Sequence, residues 1–213
     1  MKPTPLDIRT CELSEVERLC AAHHAYGGAG GTAVYCFGVY EDGALVAAFS
    51  WQPPPPGAAL STCREVPGGV LALSRMVAVP KDQRALRHIS KPLRVIMRRL
   101  IDRTRWPVLI TYSDESKGHT GHVYKCSGWQ PTIKRKSAAY EDDDGRRVSV
   151  YSNRKQRPKA LKRAGSKVTQ RWEHWASTTP LADMTAAGWH RVPVEGKSWR
   201  SGAQAYKWEQ TTP

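Results

Sequence analysis

Apolar and polar positions alternate or recur along this chain in a way that predicts ten elements. Leu6–Arg9 reads as a short first strand. Leu13, Val16, Leu19 and Cys20 then recur at helical spacing, with Ser14 as expected N-cap and Glu17 answering it three residues on. That helix runs out at His23-His24, before the glycine-rich stretch 27–31. Val34–Tyr40 and Ala44–Trp51 are β-rich runs either side of Glu41-Asp42-Gly43, a hairpin signal. Pro53–Pro56 reads as a stiff connector that cannot enter a ladder. Val70–Val79 is the longest strand candidate. Ser90 and Pro92 open a helix whose stripe is Leu93, Ile96, Met97 and Leu100. Val108–Tyr112 reads as a strand and His119–Cys126 as a short helix stopped by Gly128. Gln130–Tyr140 and Arg146–Tyr151 flank Asp142-Asp143-Asp144-Gly145 as a second hairpin. The order is β-α-β-β-β-α-β-α-β-β, a mixed α/β (α+β) class. A boundary is expected where the sequence turns polar and basic. It divides a catalytic domain, 1–152, from a C-terminal extension, 153–213.

Composition narrows the picture. The chain has 213 residues, 40% of them hydrophobic, enough for a core, which excludes wholesale disorder. No apolar run approaches the ~20 residues of a membrane helix, and Met1–Thr10 has no apolar signal segment. A soluble protein working in the cytoplasm where it is made, with no membrane partner, is the expectation. Five scattered cysteines without a CxxC read as reduced, buried thiols.

Charge changes the picture more. Lys+Arg number 33 against 19 Asp+Glu, a net +14. From Tyr151 to Pro213 there are 12 Lys/Arg, 4 Asp/Glu and five of the eight tryptophans. Cations interleaved with flat aromatics suit phosphate neutralisation and base stacking. Arg154, Lys155, Arg157, Lys159, Lys162, Arg163, Lys167 and Arg171 are the candidate DNA contacts. The same tryptophans would equally serve as the core of a small tail.

The candidate chemistry lies in Thr111–Trp129. An apolar strand delivers Asp114 at its C-terminal end, where α/β folds place ligands. Gly118 and Gly121 allow a tight turn, and His119 and Tyr124 follow. A carboxylate, an imidazole and a phenol thus converge, the groups used to move and orient protons. The alternative is a loop in which Asp114 caps a helix and Tyr124 packs. Strand alternation puts Arg75 on the face of Leu71 and Leu73, with Ser74 opposite; a cation there asks for a carboxylate or a bound anion, and Asp114 is a candidate. His23 and His24 end a helix beside glycines. One of them is a base, a metal ligand or a helix-end cap. No metal motif is present; His24 and Asp114 are the side chains available to one.

The element order resembles the GNAT acyltransferases. Several motifs in sequence narrow this: His23-His24-Ala25-Tyr26, Phe37–Val46, Leu73-Ser74-Arg75, Tyr112-Ser113-Asp114 and Gly118–Tyr124. They resemble the Mom-type phage DNA-modification proteins, a divergent GNAT-like group, over roughly residues 8–135. The resemblance implies a GNAT-like sheet flanked by helices. It implies an enzyme that converts adenine in double-stranded DNA to its N6-carbamoylmethyl (acetamido) form and so shields phage DNA from restriction. Carried over by motif, His24, Ser74, Arg75, Asp114, His119 and Tyr124 are its site residues. Ala25 stands where the family has Tyr, so either Tyr26 substitutes or His23 is the equivalent residue. The GNAT likeness also implies acetyl-CoA or another acyl donor, whose pyrophosphate a typical member holds on a Gly-rich turn. Here that turn, Lys81–Ser90, has no glycine, and Arg84, Arg87 and Ser90 are the candidate phosphate ligands.

An adenine acceptor must leave the stack to reach a pocket, and a base must take a proton from N6. Asp114 is the first choice for that role and His24 the second. Arg75 would steady Asp114 or an anionic donor, and Tyr124 would hydrogen-bond the donor or leaving group. Two other readings stay open: an ordinary GNAT N-acetyltransferase acting on RNA, protein or a small amine, and a non-catalytic DNA-binding protein.

Overall fold

The computed structural model describes residues 6–24, 28, 33–63, 67–103, 106, 108–141, 147–148, 162–175, 189–198 and 204–210. Its centre is an eight-stranded sheet in the order β1-β2-β3-β4-β5-β8-β6-β7. The strands are β1 (Asp7–Thr10), β2 (Tyr35–Glu41), β3 (Ala44–Gln52), β4 (Val70–Ala78), β5 (Val108–Asp114), β6 (Gln130–Glu141), β7 (Arg147–Val148) and β8 (Lys162–Trp175). A separate two-stranded sheet pairs β9 (Trp189–Ser198) with β10 (Gln204–Gln210). The helices are α1 (Leu13–His23), α2 (Pro56–Thr62), α3 (Ser90–Arg103) and α4 (His122–Cys126).

Local signals explain most of these. Asp42 and Gly43 turn the β2–β3 hairpin with φ of 48° and 81°, the pair of positive values that a two-residue loop needs. Leu93, Ile96, Met97 and Leu100 of α3 are buried against Phe49, Trp51, Leu71, Leu73 and Leu109. On the other face Val16 and Cys20 of α1 pack on Ala48 and Val77. Ala59 and Cys63, in α2 and at its end, pack there on Val70, Ala72, Val108 and Ile110.

Several expectations are corrected. The N-cap of α1 is Glu12, whose side chain and that of Glu15 close a reciprocal capping box; Ser14 is already inside the helix. Pro56 starts a helix rather than ending a connector, because a proline at the first helical position gives up no bond. None of the five cysteines is in a disulfide; only Cys20 and Cys63 are buried, Cys11 and Cys36 are partly so, and Cys126 is exposed.

The largest difference concerns the C-terminal part. β8 lies between β5 and β6, pairing antiparallel with both. It carries buried Arg171, Trp172 and Glu173. A boundary at residue 152 therefore cuts across the central sheet. Trp172 is core, and Arg171 is not a free DNA contact. Its guanidinium holds Glu173 at 2.8 Å and the Ser61 hydroxyl at 2.8 Å, tying β8 to α2. Arg154, Lys155, Arg157 and Lys159 lie outside the described residues. For Lys162 and Arg163 the strand is described but not the side chains.

Among the described residues no helix is long and apolar enough to cross a membrane.

Candidate active site

β4 and β5 are the parallel neighbours of the sheet, and they pair only at Val70–Ala72 with Val108–Ile110. The Thr111 hydroxyl, donating to the Leu73 carbonyl at 3.1 Å, is the last link. Past it the strands part. The reason lies in β4: Arg75 faces Ser50 and Leu73 faces Trp51, so Ser74 is an extra residue, a β-bulge. The Ser74 hydroxyl bonds the Ser50 hydroxyl at 2.9 Å and the Ser50 carbonyl at 3.2 Å, which holds the bulge.

The bulge also reverses the facing of Arg75. Strict alternation assigns it to the side of Leu71 and Leu73. With one residue inserted it shares the side of Ser50, toward α1, where it neighbours Cys20 and His24. Its Nε donates to the Gly28 carbonyl and its Nη1 to the Ser74 carbonyl, each at 2.8 Å. The expected pairing of Arg75 with Asp114 is not made; the cation of Asp114 is Lys167, at 3.4 Å.

The parted strands open an irregular cleft of about 1090 Å³. His23, His24, Ser74, Arg75, Asp114, His119, Tyr124 and Lys167 all line it. The sequence-predicted constellation is thus brought to one place. Asp114 ends β5 and is buried, and it caps the following 3-10 turn, Glu115–Lys117. Its Oδ1 accepts from the Ser116 amide at 3.0 Å and the Ser116 hydroxyl at 2.5 Å. Oδ2 faces Lys167. Oδ1 thus caps the turn, and a different oxygen, Oδ2, meets the cation.

Gly118 and Gly121 turn the chain back toward the cleft with φ of 75° and 71°. At Gly121 a side chain is excluded twice: by its backbone, and by the Trp172 indole, into which a Cβ would run. α4 then sets Tyr124 under the cleft, ring centroids 5.9 Å from both Trp129 and Trp172. The Trp172 indole N–H bonds the Ser113 hydroxyl at 2.9 Å. Burial pushes the Tyr124 phenol above its ordinary value, with Thr111 opposing, so it is a neutral O–H donor at physiological pH.

On the opposite rim, His24 is half-buried and His23 exposed. Burial lowers the His24 pKa to about 4, helped by the positive charge of Arg75 and by His119. It is therefore a neutral imidazole at physiological pH. Among the described residues no group of three His, Cys, Asp or Glu is arranged to hold a metal ion. His24 and Asp114 lie in one cleft but are not part of such a group.

The candidate phosphate ligands stand elsewhere. Arg84 bonds the Val79 carbonyl at 2.9 Å and the Leu86 carbonyl, so it braces its own turn. Arg87 is exposed, and Ser90 begins α3. Sequence reasoning missed Tyr112, an exposed aromatic two residues before Asp114 in the cleft wall, and the exposed Lys134, Arg135 and Lys136 of β6. Lys167, read only as a phosphate contact, belongs to the site. A β-branched or alternating pattern signals none of them; only the pairing of β8 with β5 and β6 does.

The sequence matches the Mom protein family over residues 5–191, and the chain belongs to that family. No curated protein matches it. Solved structures of N-acetyltransferases share its fold, a GNAT fold. One is the N-acetyltransferase from Staphylococcus aureus Mu50, 12% identical, covering 82% of this chain and 100% of its own, with a TM-score of 0.50. Another is an apo agmatine N-acetyltransferase mutant, 13% identical, covering 81% and 100%, with a TM-score of 0.50.

Proposed function

We propose that this protein is a DNA-modifying transferase whose acceptor is adenine N6, and that its product is the N6-carbamoylmethyl (acetamido) base that protects phage DNA from restriction. The observation that carries the reading is the cleft between β4 and β5. In a member of the Mom family it gathers a carboxylate, a neutral imidazole, a neutral phenol and two cations in one place.

The residues divide the work as follows. A flipped adenine enters the cleft, and the exposed cations of β6, Lys134, Arg135 and Lys136, add positive charge that attracts the DNA backbone. The N6 amine is a poor nucleophile, so its proton must leave as the N–C bond forms and the donor carbon's bond to its leaving group breaks, the leaving group departing with that electron pair. Asp114 Oδ2 takes that proton, with Ser116 fixing the carboxylate and Lys167 beside it. Neutral His24 is the second acceptor in reach of the cleft. The Tyr124 O–H donates to charge that develops on the donor or leaving group. Arg75 holds the segment at Gly28 against β4 and gives this rim a positive potential.

The test is mass spectrometry of nucleosides from DNA of cells expressing the protein. A new adenosine species of the carbamoylmethyl mass is expected; unchanged nucleosides from cells holding folded, DNA-binding protein would refute the reading. A second reading, transfer of an acetyl group to an amine, draws on the shared N-acetyltransferase fold. Acetylation of amines with no modified base would select it. DNA affinity should fall steeply as salt rises, as counterion release requires.

A further inference from the structure

Three of the tyrosines are held by their neighbours. The Tyr35 hydroxyl accepts from the Trp106 indole, Tyr40 donates to Glu15, and Tyr124 packs against Trp129 and Trp172. Tyr112 is different. It lines the cleft and is 46% exposed, and among the described residues it has no hydrogen bond, ring contact or cation on its face. A ring left in water forgoes the burial that its size would otherwise bring.

The registers say what surrounds it. β5 pairs with β8 without interruption from Val108 to Asp114, so Ile110, Tyr112 and Asp114 rise from one face. Along that face α2 covers Val108 and Ile110 and reaches Arg171, the residue opposite Tyr112, through Ser61. Arg171 is thereby turned away onto α2 and Glu173. One row further Asp114 pairs with Thr169, and Thr169 with Arg135 of β6. Paired residues share a face, so exposed Arg135 stands on the same side as Tyr112. Same-face positions on a strand are about 6.6 Å apart, and two strands span about 10 Å. A flat ring, a buried carboxylate and an exposed cation are thus set out on one sheet face, at the spacing of a nucleotide's base and phosphate.

We infer that Tyr112 is a stacking platform for an unpaired nucleobase, and that it holds the base beside Asp114 while Arg135 meets the phosphate backbone. An aromatic on an open sheet face with cations on neighbouring strands is the arrangement by which sheets bind unstacked bases. Stacking accepts any base, so Tyr112 supplies affinity and position and leaves the choice of adenine to other groups. The inference rests on the DNA reading above and names the residue that receives the flipped base. Tyr112 is a positioning residue and takes no proton.

The experiment measures binding, by fluorescence anisotropy at one fixed low salt concentration, of two labelled single strands of equal length to the full chain. One is oligodeoxyadenylate and the other is wholly abasic. Wild type should bind the adenine strand at least about fivefold more tightly, the low end for stacking on one ring. Tyr112→Leu should lose that preference and keep its affinity for the abasic strand, which the cations set. Tyr112→Phe should keep the preference. Tyr112→Thr, whose side chain suits a strand, is a second non-aromatic variant should the leucine protein not fold. Equal binding of the two strands by wild type overturns the inference and leaves the DNA reading standing. An undiminished preference in either folded non-aromatic variant overturns it too. Absence of binding to both strands and to duplex DNA removes the DNA reading, and the inference with it.

Discussion

Two turns leave the sheet at the C-terminal ends of its parallel strands, and each is capped by a carboxylate on backbone amides. After β4 the carboxylate is Glu41, brought from another strand, and both its oxygens are spent on the turn. After β5 it is Asp114, the last residue of the strand itself, and Oδ1 accepts both bonds from Ser116. The other faces Lys167 on the neighbouring strand β8. One arrangement closes a turn; the other closes it and leaves a reactive edge. The difference is the reason for placing the proposed proton transfer on the β5 side.

Replacing Asp114 breaks that contrast most severely. Asp114→Asn keeps an acceptor for Ser116 while removing the basic oxygen. Adenine modification should fall by about 10²–10⁴-fold, the usual worth of a positioned base, with DNA affinity and thermal unfolding nearly unchanged. Activity within a few-fold of wild type would move the base elsewhere in the cleft. Tyr124→Phe removes one neutral donor and leaves the aromatic packing on Trp129 and Trp172 in place. A loss of about tenfold is expected, from a hydrogen bond of about 1–1.5 kcal/mol; single-turnover rates measure it.

The two glycines of the β5 turn sharpen the same comparison through stability. Both have positive φ, so alanine at either costs about 1–2 kcal/mol. Only at Gly121 does the new methyl also meet the Trp172 indole, whereas Gly118 has open space around its Cα. Gly121→Ala should therefore cost about 1–3 kcal/mol more than Gly118→Ala, the range for overpacking a filled site. Denaturant titration of the two variants gives the difference, and equal losses would mean that Trp172 yields without cost.

How much of this was legible in the sequence follows from the range of each interaction. Asp114, Gly118, Gly121 and Tyr124 were readable because one short stretch carries strand, turn and helix together. The α3 stripe and the β2–β3 hairpin were readable for the same reason. The facing of Arg75 was not, because a one-residue bulge leaves no mark in alternation and inverts everything after it. β8 was not, because Lys162–Trp175 is polar and charged by composition. Its place depends on partners in β5 and β6 tens of residues earlier. Trp172 and Arg171 therefore read as a DNA-binding surface, although a long-range pairing buries them. Glu41 read as a hairpin residue and nothing more; its contact with Ala85 and Leu86 joins segments that no local pattern relates.

The smallest expected effect, and the one that tests the rim opposite Asp114, is the pH response of His24. Its imidazole sits half-buried near Arg75 and His119, which lowers its pKa from 6.5 to about 4. In the unfolded chain the ring protonates as pH falls through 6.5; in the folded protein it does not until about 4. Between those values the unfolded state binds the extra proton, so stability must decline as pH falls across that window and stay level, for this group, above it. His24→Gln lacks the proton site, so its unfolding midpoint should fall less steeply over the same window; the difference between the two curves isolates the contribution of His24. Activity gives a second reading of the same group. A neutral His24 that serves the reaction keeps the rate level well below pH 6.5, with the acid limb close to 4. A limb near 6.5, or parallel stability curves for wild type and variant, would place His24 in solvent and leave the proton chemistry to the β5 side alone.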